Sequence, residues 1–225
     1  VYRYTPKGAD KEPLVIYEGG ANRMAMTLML HDQTEISTAD CYFVADADEL
    51  VVDAQHNKLS LRLYPNAPSD SGGCQTLNQK AYVEYLYTFS NDDYKFDYQV
   101  NMVNMGPYLY PNRRTFTLQW AAQPECVEKN YDYEKNITSI YYMDNGDDVG
   151  NLDERKADRK DFTSPLKWVS FKQQFFTSTI IADKESFNSG SLEVSLPDKN
   201  EQHLLKQMTA NLDFQLNDLN NSGFD

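Results

Sequence analysis

Apolar residues fall at every second position along much of the chain. Met24, Met26, Leu28 and Leu30 alternate with less apolar neighbours, and Leu59, Leu61 and Leu63 alternate with Ser60 and Arg62. The spacing returns at Phe96, Tyr98, Val100 and Met102, at Phe116, Leu118, Trp120 and Ala122, and at Leu192, Val194 and Leu196. Successive side chains of a strand point to opposite faces, so each run predicts a half-buried β-strand. Stretches dense in Gly, Pro, Asn, Asp and Ser separate the runs: Pro65 to Gly73, Ser90 to Asp93, Gly106 to Asn112, Asp144 to Gly150 and Asn188 to Gly190. Each is expected to be a turn. Strands joined in this way make antiparallel sheets, and with little helical patterning the sheets must cover each other's apolar faces. The expected fold is all-β, a large antiparallel β-sandwich.

The segment Glu201 to Gln215 is rich in helix formers, yet Met208, Ala210, Leu212, Phe214 and Leu216 alternate strictly with polar residues. Where the rest of the chain is sheet, burial of one face outweighs propensity, which predicts a strand over 203–217 with Lys206 against the pattern at its start. No internal repeat, low-complexity tract or linker divides the chain, so 1–225 is expected to fold as one domain.

The charge balance narrows the function. With 34 acidic and 21 basic residues the net charge is -13, which disfavours nucleic acid and anionic lipid, both of which need clustered Lys and Arg. Acidic clusters such as Asp46, Asp48 and Glu49 read as solvated loops. The run Asp144 to Glu154 invites a calcium reading, but its spacing is not that of an EF-hand. The 16 tyrosines and 11 phenylalanines suit pleated surfaces and a bulky core, and a sugar-stacking platform would draw on the same residue types. No apolar run approaches the roughly 20 residues that cross a bilayer as a helix.

Catalytic and metal patterns are missing. His31, His56 and His203 stand far apart without HExxH or HxH spacing, and there is no GxSxG, Walker loop or GxGxxG. Cys41, Cys74 and Cys126 allow at most one intramolecular disulfide and contain no CxxC. Paired carboxylates for glycoside hydrolysis have no sequence signature either way. The expectation is a non-enzymatic domain with no catalytic, cofactor-binding or metal-binding residues. Val1 to Asp10 has no signal-peptide pattern, and the chain opens without Met in a strand-like segment, as an excised fragment would.

One stretch is specific. Lys167 to Ala182 reads Lys-Trp-Val-Ser-Phe-Lys-Gln-Gln-Phe-Phe-Thr-Ser-Thr-Ile-Ile-Ala and resembles the W-x-x-x-K-x-x-Y/F-F signature of the large periplasmic domain of YidC-type membrane protein insertases. Trp168, Lys172, Phe175 and Phe176 stand at the matching positions, with Phe171 and Ile180 as further apolar positions. Lys80 to Met105 is similar to the family's central hairpin, and Pro13 to Gly19 resembles Bacteroidetes-like members. The crowded aromatics imply a packing role for Trp168, Phe171, Phe175 and Phe176, with the Lys172 amine near solvent or a carboxylate.

The resemblance implies a supersandwich similar to mutarotase and carbohydrate-binding folds, at the periplasmic face of the bacterial inner membrane within an integral membrane protein. It implies an accessory role in insertion and folding of inner-membrane proteins. The implied partners are Sec translocon components such as SecDF and nascent membrane proteins, with membrane contact through regions outside this chain. The membrane anchor and hydrophilic-groove core of the family are not in the sequence. Its end at Asp225 precedes the closing strand and Gly-Pro turn that the resemblance leads one to expect. Two other readings of the same residues stay open: a secreted carbohydrate-binding or mutarotase-like sandwich, and a structural or adhesive β-domain.

Overall fold

A computed structural model describes residues 3–4, 12–13, 16–17, 19–66, 77–90, 93–144, 148–198, 201 and 203–225. Among them the strands are, in order, β1 (Arg3–Tyr4), β2 (Glu12–Pro13), β3 (Arg23–Met29), β4 (Glu35–Ser37), β5 (Val44–Ala45), β6 (Lys58–Leu63), β7 (Tyr82–Phe89), β8 (Phe96–Val103) and β9 (Thr115–Ala122). After a helix, α1 (Tyr131–Ile137), follow β10 (Ser139–Asp144), β11 (Val149–Asn151), β12 (Asp158–Phe162), β13 (Leu166–Lys172), β14 (Thr177–Ile181), β15 (Ser189–Ser195), β16 (Gln207–Gln215) and β17 (Asn221–Phe224). The fold is an all-β, antiparallel sandwich.

Every alternating run of the sequence forms a strand. On β16 the predicted face is buried residue by residue at Met208, Ala210, Leu212 and Phe214, although its ends lie inside 203–217. One expectation needs correction, and one element is new. The chain does contain a helix, α1, whose start Asn130 caps by accepting a 3.1 Å hydrogen bond from the Tyr133 amide; seven residues are too few to show helical periodicity. Asn188 to Gly190 is also not wholly a turn, because β15 already begins at Ser189. Gly190 serves a close approach there, since any Cβ would collide with the Asn211 carbonyl oxygen. Parts of three other expected turns lie outside the described residues, as does Cys74.

The contacts divide the chain into two compact units. The first comprises Val1–Met24, Gln119–Ile181 and Gly190–Asn211. Its sheet β11-β10-β13-β14 faces a second sheet in the order β12-β15-β16-β9-β3, and the faces meet where Trp120 stacks on Phe171 and Tyr142 meets Phe162 edge-on. Ile140, Leu166, Val169, Leu192, Val194 and Leu205 fill the space between, each 1% exposed or less.

The second unit comprises Ala25–Leu118, Ala182–Ser189 and Leu212–Asp225. The sheet β17-β8-β7-β6-β5 lies against the ends of β16, β9, β3 and β4 that belong to this unit. Phe224 of β17 contacts Phe214 of β16 at 4.6 Å between ring centroids, and Phe187 and Phe116 extend the cluster. The hairpin of β7 and β8 pairs in unbroken register from Tyr82 opposite Val103 to Phe89 opposite Phe96.

Opposite this apolar face, β6, β7 and β8 share a buried charge. Glu84 accepts from Ser60 Oγ at 2.6 Å and Arg62 Nε at 3.0 Å on one oxygen, and from Asn101 Nδ2 at 3.0 Å on the other. Burial pushes this carboxyl up, but the three donors outweigh it and hold it below the usual range. A depressed value means the stabilisation is complete above the unfolded value of 4.5 and is lost as pH falls through the lower folded value. Glu84→Gln is therefore expected to cost about 1–3 kcal/mol at pH 7, read as a lower urea midpoint. The gap from the parent narrows as pH drops below that unfolded value, and a gap that did not change with pH would exclude this account.

Candidate functional site

β13 carries Trp168, Phe171 and Lys172, and its neighbours show what each of them meets. Its register places Lys172 opposite Ser139 and Thr177, Phe171 opposite Ile140 and Ser178, and Trp168 opposite Met143 and Ile181. Cross-strand partners share a face. Phe171 therefore looks into the first unit, fully buried, and stacks on Trp120 with ring centroids 3.7 Å apart and planes 10° from parallel. Trp168 and Lys172 look out with Tyr141 and Met143.

After Lys172 the chain reverses through a tight turn closed by the Gln173 amide donating to the Phe176 carbonyl at 2.8 Å. The turn leaves Phe175 67% exposed, while Phe176 is half-buried. Gln173 is fully buried, and neither atom of its side-chain amide has a hydrogen-bond partner among the described residues. The signature is thus split between an inward ring, an outward aromatic and cation, and a turn.

The outward cation belongs to a small cluster. Lys172 Nζ lies 3.5 Å from Tyr141 Oη, 4.9 Å from the centre of that ring and 3.9 Å from Glu154 Oε1. Tyr141 Oη donates to Glu154 Oε1 at 2.5 Å. Burial, reinforced by that carboxylate, pushes the Tyr141 phenol up to about 12, so it is a proton donor locked to its acceptor at neutral pH. Below Glu154, the buried Lys206 donates to the Glu154 carbonyl at 3.2 Å, and burial lowers its pKa. Nothing in the spacing of Tyr141, Glu154 and Lys172 links them in sequence; sheet register and the return of the 153–157 loop bring them together.

Other chemistry-bearing residues make local structural contacts. Glu134 of α1 is fully buried and accepts from Cys126 Sγ at 3.1 Å and from the Val127 and Glu128 amides at 3.2 and 3.1 Å. Burial and then Glu134 push the Cys126 thiol up to about 11, the opposite of an activated thiolate. Cys41 and Cys126 are free thiols. His56 sits in an exposed turn against Asp53, whose carboxyl this contact draws down to about 2. His31 and His203 stand elsewhere, exposed. Among the described residues no three His, Cys, Asp or Glu are grouped to hold a metal, and no helix is long and apolar enough to cross a membrane.

These features define an all-β sandwich domain whose distinguishing motif is a packed hairpin with a part-buried Lys-Tyr-Glu cluster on its outer face. The model of the YidC periplasmic domain matches residues 2–215, and the chain belongs to that family. The membrane protein insertase YidC of Bacteroides fragilis (strain YCH46) is 28% identical over 178 residues, 79% of this chain and 26% of that protein. That of Parabacteroides distasonis is 27% identical over 210 residues, 92% of this chain and 30% of that protein. That of Cytophaga hutchinsonii is 30% identical over 158 residues, 61% of this chain and 25% of that protein. The chain therefore spans less than a third of these relatives. No solved structure matches it.

The two ends of the signature should differ sharply in energetic weight. Phe171→Ala, which empties a fully buried stack, is expected to cost about 3–5 kcal/mol. Phe175→Ala is expected to stay within about 0.5 kcal/mol. Urea unfolding of the two variants checks this, and equal losses would contradict the placement of the rings. Glu154→Gln should lower the Tyr141 titration midpoint from about 12 without returning it fully to the ordinary phenol value, because burial remains. NMR of labelled tyrosine rings reads this directly.

Proposed function

We propose that the chain is a non-catalytic periplasmic accessory domain of a YidC-type membrane protein insertase, at the outer face of the bacterial inner membrane. In this reading it assists insertion and folding of inner-membrane proteins by docking partners, with Sec translocon components such as SecDF among them. One observation carries the reading: the family match runs over residues 2–215. The names of the relatives supply the activity, membrane protein insertion, which belongs to those proteins as wholes.

The chemistry of the domain supports a binding role. The buried carboxylates Glu84 and Glu134 are tied to local donors, and the Cys126 thiol is held protonated. In the same reading the signature residues Trp168, Phe171, Lys172, Phe175 and Phe176 identify the family through the hairpin they build and take no part in chemistry. The net charge of -13 keeps the domain off anionic lipid headgroups, leaving its sheets free for protein partners.

The test compares the full-length insertase with a version lacking this segment, in inner-membrane vesicles. Insertion of a small model substrate is expected to persist, while recovery of SecD and SecF with the insertase falls about tenfold or more. Abolished insertion would overturn the accessory role. Unchanged recovery of translocon components would overturn docking, and binding of a soluble glycan by the isolated chain would replace it with a carbohydrate-binding role.

A further inference from the structure

The outer strands of the sheets are not alike. A strand at a sheet edge presents a row of unpaired N–H and C=O groups, and proteins blunt such edges by shortening them or charging them. In the first unit β12 reads Asp-Arg-Lys-Asp-Phe, with Arg159 in ion pairs to Asp161 and Glu193, and β11 has only three residues. In the second unit β4 has three residues and carries Glu35, β5 has two, and β17 has four. Each of these is protected by charge or by brevity.

β14 is protected by neither. It is the outer strand of β11-β10-β13-β14 among the described residues and reads Thr-Ser-Thr-Ile-Ile, five residues without a charge or a proline. Its β-branched composition favours extended pairing. Thr177, Thr179 and Ile181 are exposed, Ile181 at 60%, on the face they share with Lys172, Ser170 and Trp168. Met143 lies beyond Trp168 on that face. An apolar row thus runs to the edge at one end of β14 and ends in solvent, while the other end is hydroxylic. Phe175, just before the strand, adds a second exposed apolar group.

We propose that the edge of β14, unpaired among the described residues, is a strand-addition site for an extended peptide segment of a partner protein. The chemistry specifies the occupant: the complement of a row of alternating backbone donors and acceptors is another extended backbone. The added strand carries an apolar side chain beside Ile181, continuing the row through Trp168 and Met143, and polar side chains beside Thr177 and Thr179. A different protein is favoured over a second copy because edge-to-edge pairing of two copies would bring together two chains of net charge -13 each. This deepens the docking reading by naming its surface, and relies on that reading only for who the partner is.

The test uses the 225-residue chain and a fluorescent, end-capped peptide, Leu-Lys-Trp-Val-Ser-Phe-Lys. That is the sequence of β13, already matched to β14 in antiparallel register. Binding is read by anisotropy against a scrambled peptide of the same composition. Two double variants are compared, Thr179→Lys with Ile181→Lys, and Thr179→Glu with Ile181→Glu; both positions are exposed, and unchanged circular dichroism and urea midpoints confirm folding. Both pairs are expected to weaken binding about tenfold or more, whatever their sign, and the bound peptide should slow amide exchange at Thr177–Ile181.

Absence of binding, equal binding of the scrambled peptide, or weakening by lysine with strengthening by glutamate would each overturn the proposal, the last by exposing simple charge attraction. A concentration-dependent dimer removed by both pairs would overturn it in favour of a second copy as occupant. None of these outcomes bears on whether the full-length protein is an insertase, so the two readings fail separately.

Discussion

Period-two burial along β9 and β16 is the constraint on which the rest of the structure depends. Both strands contribute residues to each compact unit, and within each unit the register must satisfy that unit's core. On β16, Met208 and Ala210 are buried in the first unit, and Leu212 and Phe214 in the second. On β9, Trp120 supplies the stack for Phe171, and Phe116 meets Phe214. A slip of one residue would turn every one of these side chains to the opposite face. The polar side of the same strands reinforces the register, because Thr117 donates to Asp213 at 2.6 Å and Gln119 to Asn211 at 3.2 Å.

Buried charge is handled locally. Glu84 is satisfied by three donors on the adjacent strands β6 and β8, and one oxygen of Glu134 accepts from the loop that precedes its helix. Lys206 finds a backbone carbonyl. An unpaired buried charge would cost several kcal/mol, and in each case the partner lies in a neighbouring strand or loop. The Lys172, Tyr141 and Glu154 cluster follows the same rule on the outer face of the signature hairpin. Its aromatic and basic residues pack or pair where the hairpin places them.

What the sequence by itself determined was the class of fold, the strands and the family. Side-chain alternation has a period that belongs to strands alone, so β3, β6, β8, β9, β15 and β16 were legible one by one, as was the hairpin of β7 and β8. Trp168, Phe171, Lys172, Phe175 and Phe176 were read as a motif through the resemblance. The short helix α1 was not, because one capping Asn and under two turns leave no periodic trace, and the start of β15 was misread because Gly190 signals a close approach as readily as a turn.

Tertiary structure decided what spacing cannot encode. Phe171 and Phe175 are both apolar and four positions apart, yet one is fully buried and the other 67% exposed, because strand pairing ends at Lys172 and the turn carries Phe175 away from the sheet. Tyr141, Glu154 and Lys172 meet through sheet register, and Trp120 reaches Phe171 from a facing sheet. The place of β14 as the outer strand of its sheet among the described residues depends on strand order. The physical reason is common to all four: periodicity records which face of a strand is buried, whereas partners, neighbours and edges are set by long-range pairing that leaves no local mark in the chain.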